Sequence, residues 1–174
     1  MRQERLRVTL PAVIALGSNL GDREATLRSA VAEVGALDGV IVDSVSSLYE
    51  TDALKPQGVD LSAPSYLNAV MLVRSALTPH QLLDALQTIE QAHDRVRVER
   101  WGDRTLDLDI IAFADLEQYD DVLTLPHPRA FERAFVLAPW HEIQPKAELT
   151  GHGSIARLLA STYESPRLYA RWER

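Results

Sequence analysis

The order of hydrophobic segments with period two and period 3.6 predicts an α+β fold: strand, helix, strand, strand, helix, strand. That order is the ferredoxin-like βαββαβ core, a mostly antiparallel sheet with helices on one face, followed here by C-terminal additions. Composition supports a single domain. The chain has 174 residues, 46% of them hydrophobic and 25% charged, enough for one real core. The expected organisation is one domain over 1–174, with an N-terminal extension at 1–10 and a tail at 151–174 whose structure the sequence leaves unassigned.

Val8 to Leu16 reads as a buried strand interrupted early by Pro11. Gly17 to Asp22 is a turn, Asp22 is an N-cap, and Leu27, Ala30, Val31 and Val34 follow at helical spacing. Val40 to Leu48 is β-branched and strand-like. Residues 50–65 hold Pro56, Gly58 and Pro64 and read as a long loop, which in a compact domain is often functional. Tyr66 to Ser75 is a third strand. Thr78-Pro-His-Gln81 matches a capping box with proline at the first helical position, and Leu82, Leu83, Leu86 and Ile89 form the buried helix face behind it. After an arginine-rich loop, Leu106-Asp-Leu-Asp-Ile110 alternates apolar and acidic residues as a fourth core strand does. Leu123–Leu125 reads as a short strand, Arg133–His141 as a helix, and Ser154–Ser161 as a last short helix.

Charge and composition exclude several functions. The chain contains no cysteine, which rules out disulfides, zinc–thiolate sites and a cysteine nucleophile. A net charge of −7 argues against a general nucleic-acid partner, which needs a basic footprint. The charged N-terminus lacks a secretory h-region, and no apolar run is long enough to cross a bilayer. A cytoplasmic monomer without a membrane partner is therefore expected.

The chemistry concentrates in Arg95 to Ile111. Successive strand side chains face opposite ways, so Asp107 and Asp109 share a face, roughly 6.5–7 Å apart. Leu106, Leu108 and Ile110 face a core. Two carboxylates beside Arg95, Arg97, Arg100 and Arg104 suit Mg²⁺ and phosphate, since Mg²⁺ takes one or two carboxylates plus substrate phosphate oxygens. A solvated acidic strand face, with the arginines in surface ion pairs worth roughly 0–1 kcal/mol each, is the alternative. Trp101 either plugs a core edge or covers a nucleotide. His127, stiffened between Pro126 and Pro128, is either a positioned phosphate contact or an exposed loop histidine. Tyr66 and Asn68 share a strand face and could stack on and bond a heterocycle, or serve only the core. No Walker A loop or G-x-G-x-x-G is present, so side chains and metal would have to hold any nucleotide.

Six segments together resemble one family. They are Ala15-Leu-Gly-Ser-Asn-Leu20, Ser46-Ser-Leu-Tyr-Glu-Thr51, Tyr66-Leu-Asn-Ala-Val70, Glu99-Arg-Trp-Gly-Asp-Arg-Thr-Leu-Asp-Leu-Asp-Ile110, Leu125-Pro-His127 and Arg133-Ala-Phe-Val-Leu-Ala-Pro139. From about Val13 to Pro145 the chain is similar to 6-hydroxymethyl-7,8-dihydropterin pyrophosphokinases of folate biosynthesis. The resemblance implies a ferredoxin-like fold and transfer of pyrophosphate from ATP to the pterin hydroxymethyl group, releasing AMP. It implies that Asp107 and Asp109 hold two Mg²⁺ ions and that Arg95 and Arg104 clamp the triphosphate. Gln87, Glu90, Arg97, Arg100, Trp101, Thr124, His127 and Arg133 would line the ATP side. Tyr66 and Phe135 would sandwich the pterin, Asn68 would bond its polar edge, and Thr51 with the backbone near Leu54 would complete that pocket. Three positions depart from common family patterns: Asp103 in place of proline, Pro128 in place of tyrosine and Val122 in place of arginine.

Overall fold

A computed structural model describes residues 8–55, 58–93 and 105–172. In chain order the elements are β1 (Leu10–Ser18), α1 (Arg23–Gly35), β2 (Val40–Val45), β3 (Leu48–Thr51), β4 (Ala53–Lys55), β5 (Gly58–Asp60), β6 (Tyr66–Ser75), α2 (Pro79–His93), β7 (Asp107–Phe113), β8 (Gln118–Tyr119) and β9 (Thr124–Leu125). A 3-10 turn (Ala130–Glu132), α3 (Ala134–Ile143), β10 (Glu148–Leu149), β11 (Gly153–Ser154), α4 (Ile155–Ala160) and β12 (Arg167–Ala170) complete the chain. The main sheet runs β12-β3-β6-β1-β7, with β2 also on β6, and every pairing is antiparallel. This is the expected ferredoxin-like core.

Alternation along the strands sends two sets of side chains to two cores. Ile14 and Leu16 of β1, Leu67, Ala69 and Met71 of β6, and Leu108 and Ile110 of β7 pack beneath α1 and α2. Val13, Val70 and Ile111 face the other way, under Val136, Leu137 and Trp140 of α3 and Ile155 of α4. The two core helices thus share one face, and the C-terminal additions cover the opposite one. A bulge opposite Val13 and Ile14 resets the alternation of β7, so Ile111 and Ala112 both face the second core and Phe113 returns to the first.

Local chemistry sets the boundaries. Asp22 caps α1 by accepting from the backbone N–H of Ala25 at 3.0 Å. The capping box before α2 is present in both directions: Thr78 N–H donates to Gln81 Oε1 at 2.9 Å, and Gln81 N–H to Thr78 Oγ1 at 3.3 Å. Such caps contribute about 1 kcal/mol each. The expected strand over 40–48 breaks at Ser46 and Ser47. There Ser46 Oγ takes the N–H of Val70 at 2.9 Å and gives its own proton to Ser47 O, standing in for a rung of the ladder. The expected loop over 50–65 contains the β4–β5 hairpin, with Ala53 opposite Asp60. The tail after 151, unassigned from sequence, supplies α4 and adds β12 to the sheet beside β3.

One polar latch joins α3 to the sheet. Glu142 on α3 accepts from Ser47 Oγ at 2.8 Å and from Ser47 N–H at 3.2 Å. It also accepts the phenol of Tyr49, whose pKa is pushed from 10 up to about 12 by burial and by Glu142. A phenol raised in the folded state favours folding fully below its unfolded value of 10, and that contribution is lost as pH rises toward about 12. Tyr49→Phe is therefore expected to show a shallower fall in denaturant midpoint between about pH 10 and about pH 12 than the wild type. Parallel slopes would remove Tyr49 from the alkaline transition.

Candidate active site

Strand register on β1 assembles the site. Gly17 lies opposite Asn68 of β6 on one side and opposite Asp107 of β7 on the other. Ala15, two residues earlier and on the same face, lies between Val70 and Asp109. Asn68 and Asp107 are thus two strand spacings apart, roughly 9–10 Å, across a floor with no side chain. A Cβ on Gly17 would meet only Asn68 Oδ1 at 3.6 Å, so the close neighbours leave room there.

Above this floor is a cavity of about 850 Å³. Of the residues singled out from sequence, Thr51, Tyr66, Asn68, Asp107, Asp109, Arg133 and Phe135 line it. The amide of Asn68 donates to Thr51 Oγ1 at 2.9 Å, which leaves its oxygen directed toward the floor beside Gly17. Tyr66 lies opposite Thr51 in the β3–β6 ladder. Phe135, in the first turn of α3, faces the cavity from above the sheet, and the guanidinium of Arg133 stands 5.5 Å from the centre of its ring. An aromatic, amide and hydroxyl wall therefore meets an acidic wall across Gly17.

The second group of expected residues follows the outer edge of β7. Glu90, on α2, accepts the backbone N–H of Leu108 at 2.7 Å and so occupies an edge that no strand among the described residues covers. The N–H of His127 donates to Ile111 O at 2.9 Å, docking the Leu125–His127 segment on the same edge. Thr124 is in β9 and Gln87 is exposed on α2; neither lines the cavity. Arg95, Arg97, Arg100, Trp101, Asp103 and Arg104 lie outside the described residues, as does the side chain of Leu54, whose backbone pairs with Val59 in the hairpin.

The titratable groups balance one another. Burial holds His127 below the usual histidine value; Asp109 pulls it back up and Arg133 pushes it further down. Its Nδ1 accepts the N–H of Arg129 at 3.1 Å, which makes Nε2 the protonated nitrogen and a donor. Burial lowers the Arg133 pKa, with Arg129 adding to that and Asp109 opposing it. Arginine's reserve keeps the group charged.

Several lining residues escaped the sequence reading: Arg129, Phe131 and Glu132 around the 3-10 turn, and Ser161 to Glu164 after α4. The Arg129-to-Arg133 charge pattern was a usable signal. The tail carried none, because its role depends on where β12 docks.

Nuclear magnetic resonance titration of His127 tests this balance. The ring is expected to titrate below 6.5, lower still in Asp109→Asn, which removes the raising charge, and higher in Arg133→Ala. Shifts of the opposite sign would contradict the geometry.

A sequence model of the family described as 7,8-dihydro-6-hydroxymethylpterin-pyrophosphokinase (HPPK) matches residues 13–145. The chain is 47% identical over 137 residues to the 2-amino-4-hydroxy-6-hydroxymethyldihydropteridine pyrophosphokinase of Bacillus subtilis, covering 79% of this chain and 80% of that one. It is 39% identical over 168 residues to the protein of the same name from Mycobacterium tuberculosis, covering 89% and 85%. The solved wild-type HPPK-DHPS of Plasmodium falciparum superposes with a TM-score of 0.67 at 14% identity, over 90% of this chain and 42% of the longer one, a likeness in fold.

Proposed function

Since the chain belongs to the 7,8-dihydro-6-hydroxymethylpterin-pyrophosphokinase family, we propose that it transfers the terminal pyrophosphate of ATP to the hydroxymethyl group of 6-hydroxymethyl-7,8-dihydropterin, releasing AMP, in folate biosynthesis. One observation carries the reading to these residues. Gly17 sets a heterocycle-binding wall and an acidic wall on opposite sides of one bare floor, within a single cavity. A hydroxymethyl group on a ring held by the first wall would point at a phosphate held by the second.

On the pterin side, Tyr66 and Phe135 would sandwich the ring, an arrangement that aromatic faces favour. The Asn68 oxygen is available to an N–H on the ring edge because the amide nitrogen is engaged by Thr51. Thr51 and the backbone near Leu54 would close that end.

On the ATP side, Asp107 and Asp109 offer only oxygen donors. Among the described residues no third His, Cys, Asp or Glu joins them in a metal-sized group. Two carboxylates, with phosphate and water oxygens completing the shell, fit Mg²⁺ and not a dedicated protein cage. The two aspartates would hold two ions. Magnesium bound there would neutralise phosphate charge and acidify the pterin hydroxyl. Arg133 is placed to meet phosphate oxygens, and His127 can donate one hydrogen bond from Nε2. Arg95 and Arg104 would clamp the triphosphate, with Arg97, Arg100, Trp101, Gln87, Glu90 and Thr124 lining the nucleotide side.

In the reaction the pterin oxygen attacks the β-phosphorus. The bond from that phosphorus to the α–β bridging oxygen breaks, and the electron pair leaves with AMP. The hydroxyl proton goes to solvent or to an aspartate. Such transfers demand positioning and charge stabilisation more than covalent help from the protein. We expect the enzyme to act as a monomer, one domain over 1–174. Dependence on ATP is in keeping with work in the cytoplasm. No helix among the described residues is long and apolar enough to cross a membrane.

The test is incubation with ATP, Mg²⁺ and 6-hydroxymethyl-7,8-dihydropterin, resolving nucleotides by chromatography. AMP is expected; ADP, or no product, would overturn the assignment. Asp109→Asn should lose on the order of 10²–10³ in kcat. Asn68→Ala should mainly raise KM for the pterin, by roughly tenfold for one lost hydrogen bond.

A further inference from the structure

Three carboxylates of the cavity, Asp52, Glu132 and Glu164, have no task in the proposed reaction; Asp52 pairs with Arg167 and Glu132 with Arg129, which leaves Glu164. Glu164 lies between α4 and β12, beyond the residues that match the family model, and it lines the cavity together with Arg133. Its segment is anchored at both ends. Ser161 and Thr162 N–H donate to Leu158 O and Leu159 O at 3.0 and 3.1 Å, and Thr162 Oγ1 donates to Leu159 O at 2.8 Å. On the far side β12 pairs with β3, and Arg167 donates to Asp52 at 3.2 Å and stands 3.7 Å from Glu50. Glu164 is therefore held at the cavity wall by the fold.

Among the described residues Glu164 forms no hydrogen bond and no close ion pair. Burial raises its pKa, and among the described residues Arg133 opposes that rise. Arg133 in turn has no carboxylate within ion-pair reach among the described residues; its guanidinium stands over Phe135. A cation and an anion thus line one cavity without an ion pair between them, and Asp109, Glu132 and Asp107 also act on Arg133.

We propose that Glu164 is a counter-charge to Arg133, a positioning residue that sets the affinity of the site for polyphosphate from outside the metal and pterin subsites. In the empty site it offsets the field of Arg133. A phosphate chain that reaches Arg133 also meets the repulsive field of Glu164, so polyphosphate binds less tightly than Arg133 alone would allow. This inference rests on the pyrophosphokinase reading for the identity of its ligand.

Calorimetry on the full chain with inorganic tripolyphosphate in Mg²⁺ buffer tests it without pterin or turnover. Glu164→Gln, nearly isosteric and uncharged, is expected to tighten Kd roughly fivefold. Glu164→Asp keeps the charge and should stay within about twofold of wild type. In an Arg133→Ala background the effect of Glu164→Gln should fall by at least half, the coupling expected of two groups acting as a pair. An unchanged or weaker Kd in Glu164→Gln would overturn the proposal. So would an Asp variant that shifts as far as the Gln variant, or an effect of full size without Arg133. Failure to form AMP would instead count against the functional reading and leave the calorimetric comparison standing.

Discussion

Double pairing of β1 is the constraint on which the rest depends. With β6 on one flank and β7 on the other, its register decides which residues of two distant segments become neighbours. Asn68 and Asp107 are far apart in the chain, yet each meets Gly17. A one-residue slip in either ladder would turn the acidic face or the face of Tyr66 and Asn68 into the core beneath α1 and α2. The apolar residues between them prevent this. Leu67, Ala69, Leu108 and Ile110 are buried, and a slip would expose them at roughly 1.5–3 kcal/mol for each large side chain. Core packing and site geometry are thus enforced by the same alternation.

Supports on the far side of the cavity complete the site. Phe135 and Arg133 open α3, and that helix is held at its other end by the bonds from Ser47 and Tyr49 to Glu142. The same Ser46–Ser47 break that ends β2 supplies this attachment. Glu90 and His127 hold the outer edge of β7 through Leu108 N–H and Ile111 O, where no strand among the described residues pairs with it. Residues that resemblance assigns to nucleotide binding therefore also have structural duties. Charge within the cavity is distributed in the same economical way: Arg133 feels Asp107, Asp109 and Glu132 at once, and His127 is kept neutral by burial with a single donor left over.

Legibility in the sequence tracked how local each cause is. The capping box at Thr78 and Gln81, the faces of Asp107 and Asp109 and the helical stripe of α2 depend on residues within a few positions, and all are present as read. The break at Ser46 depends on Val70, 24 residues away, and the composition of 40–48 conceals it. The β4–β5 hairpin hid in a loop rich in proline and glycine. The tail was opaque for a further reason: β12 pairs with β3 more than a hundred residues earlier, and its short, exposed strand has little hydrophobic pattern to show.

By itself the sequence determined the order of the core elements, the shared faces of Tyr66 with Asn68 and of Asp107 with Asp109, and the chemical types at hand: paired carboxylates, clustered arginines, and an aromatic two residues from an amide. These follow from periodicities of two and 3.6 and from side-chain chemistry, which need no knowledge of distant contacts. Only the tertiary structure decided that Gly17 is the floor between two walls, that Nε2 of His127 carries the proton, and that Glu164 shares a cavity with Arg133. The first and the last depend on register or docking between segments far apart in the chain, contacts selected by the packing of the whole domain; the second follows from the turn that brings the N–H of Arg129 onto His127 Nδ1.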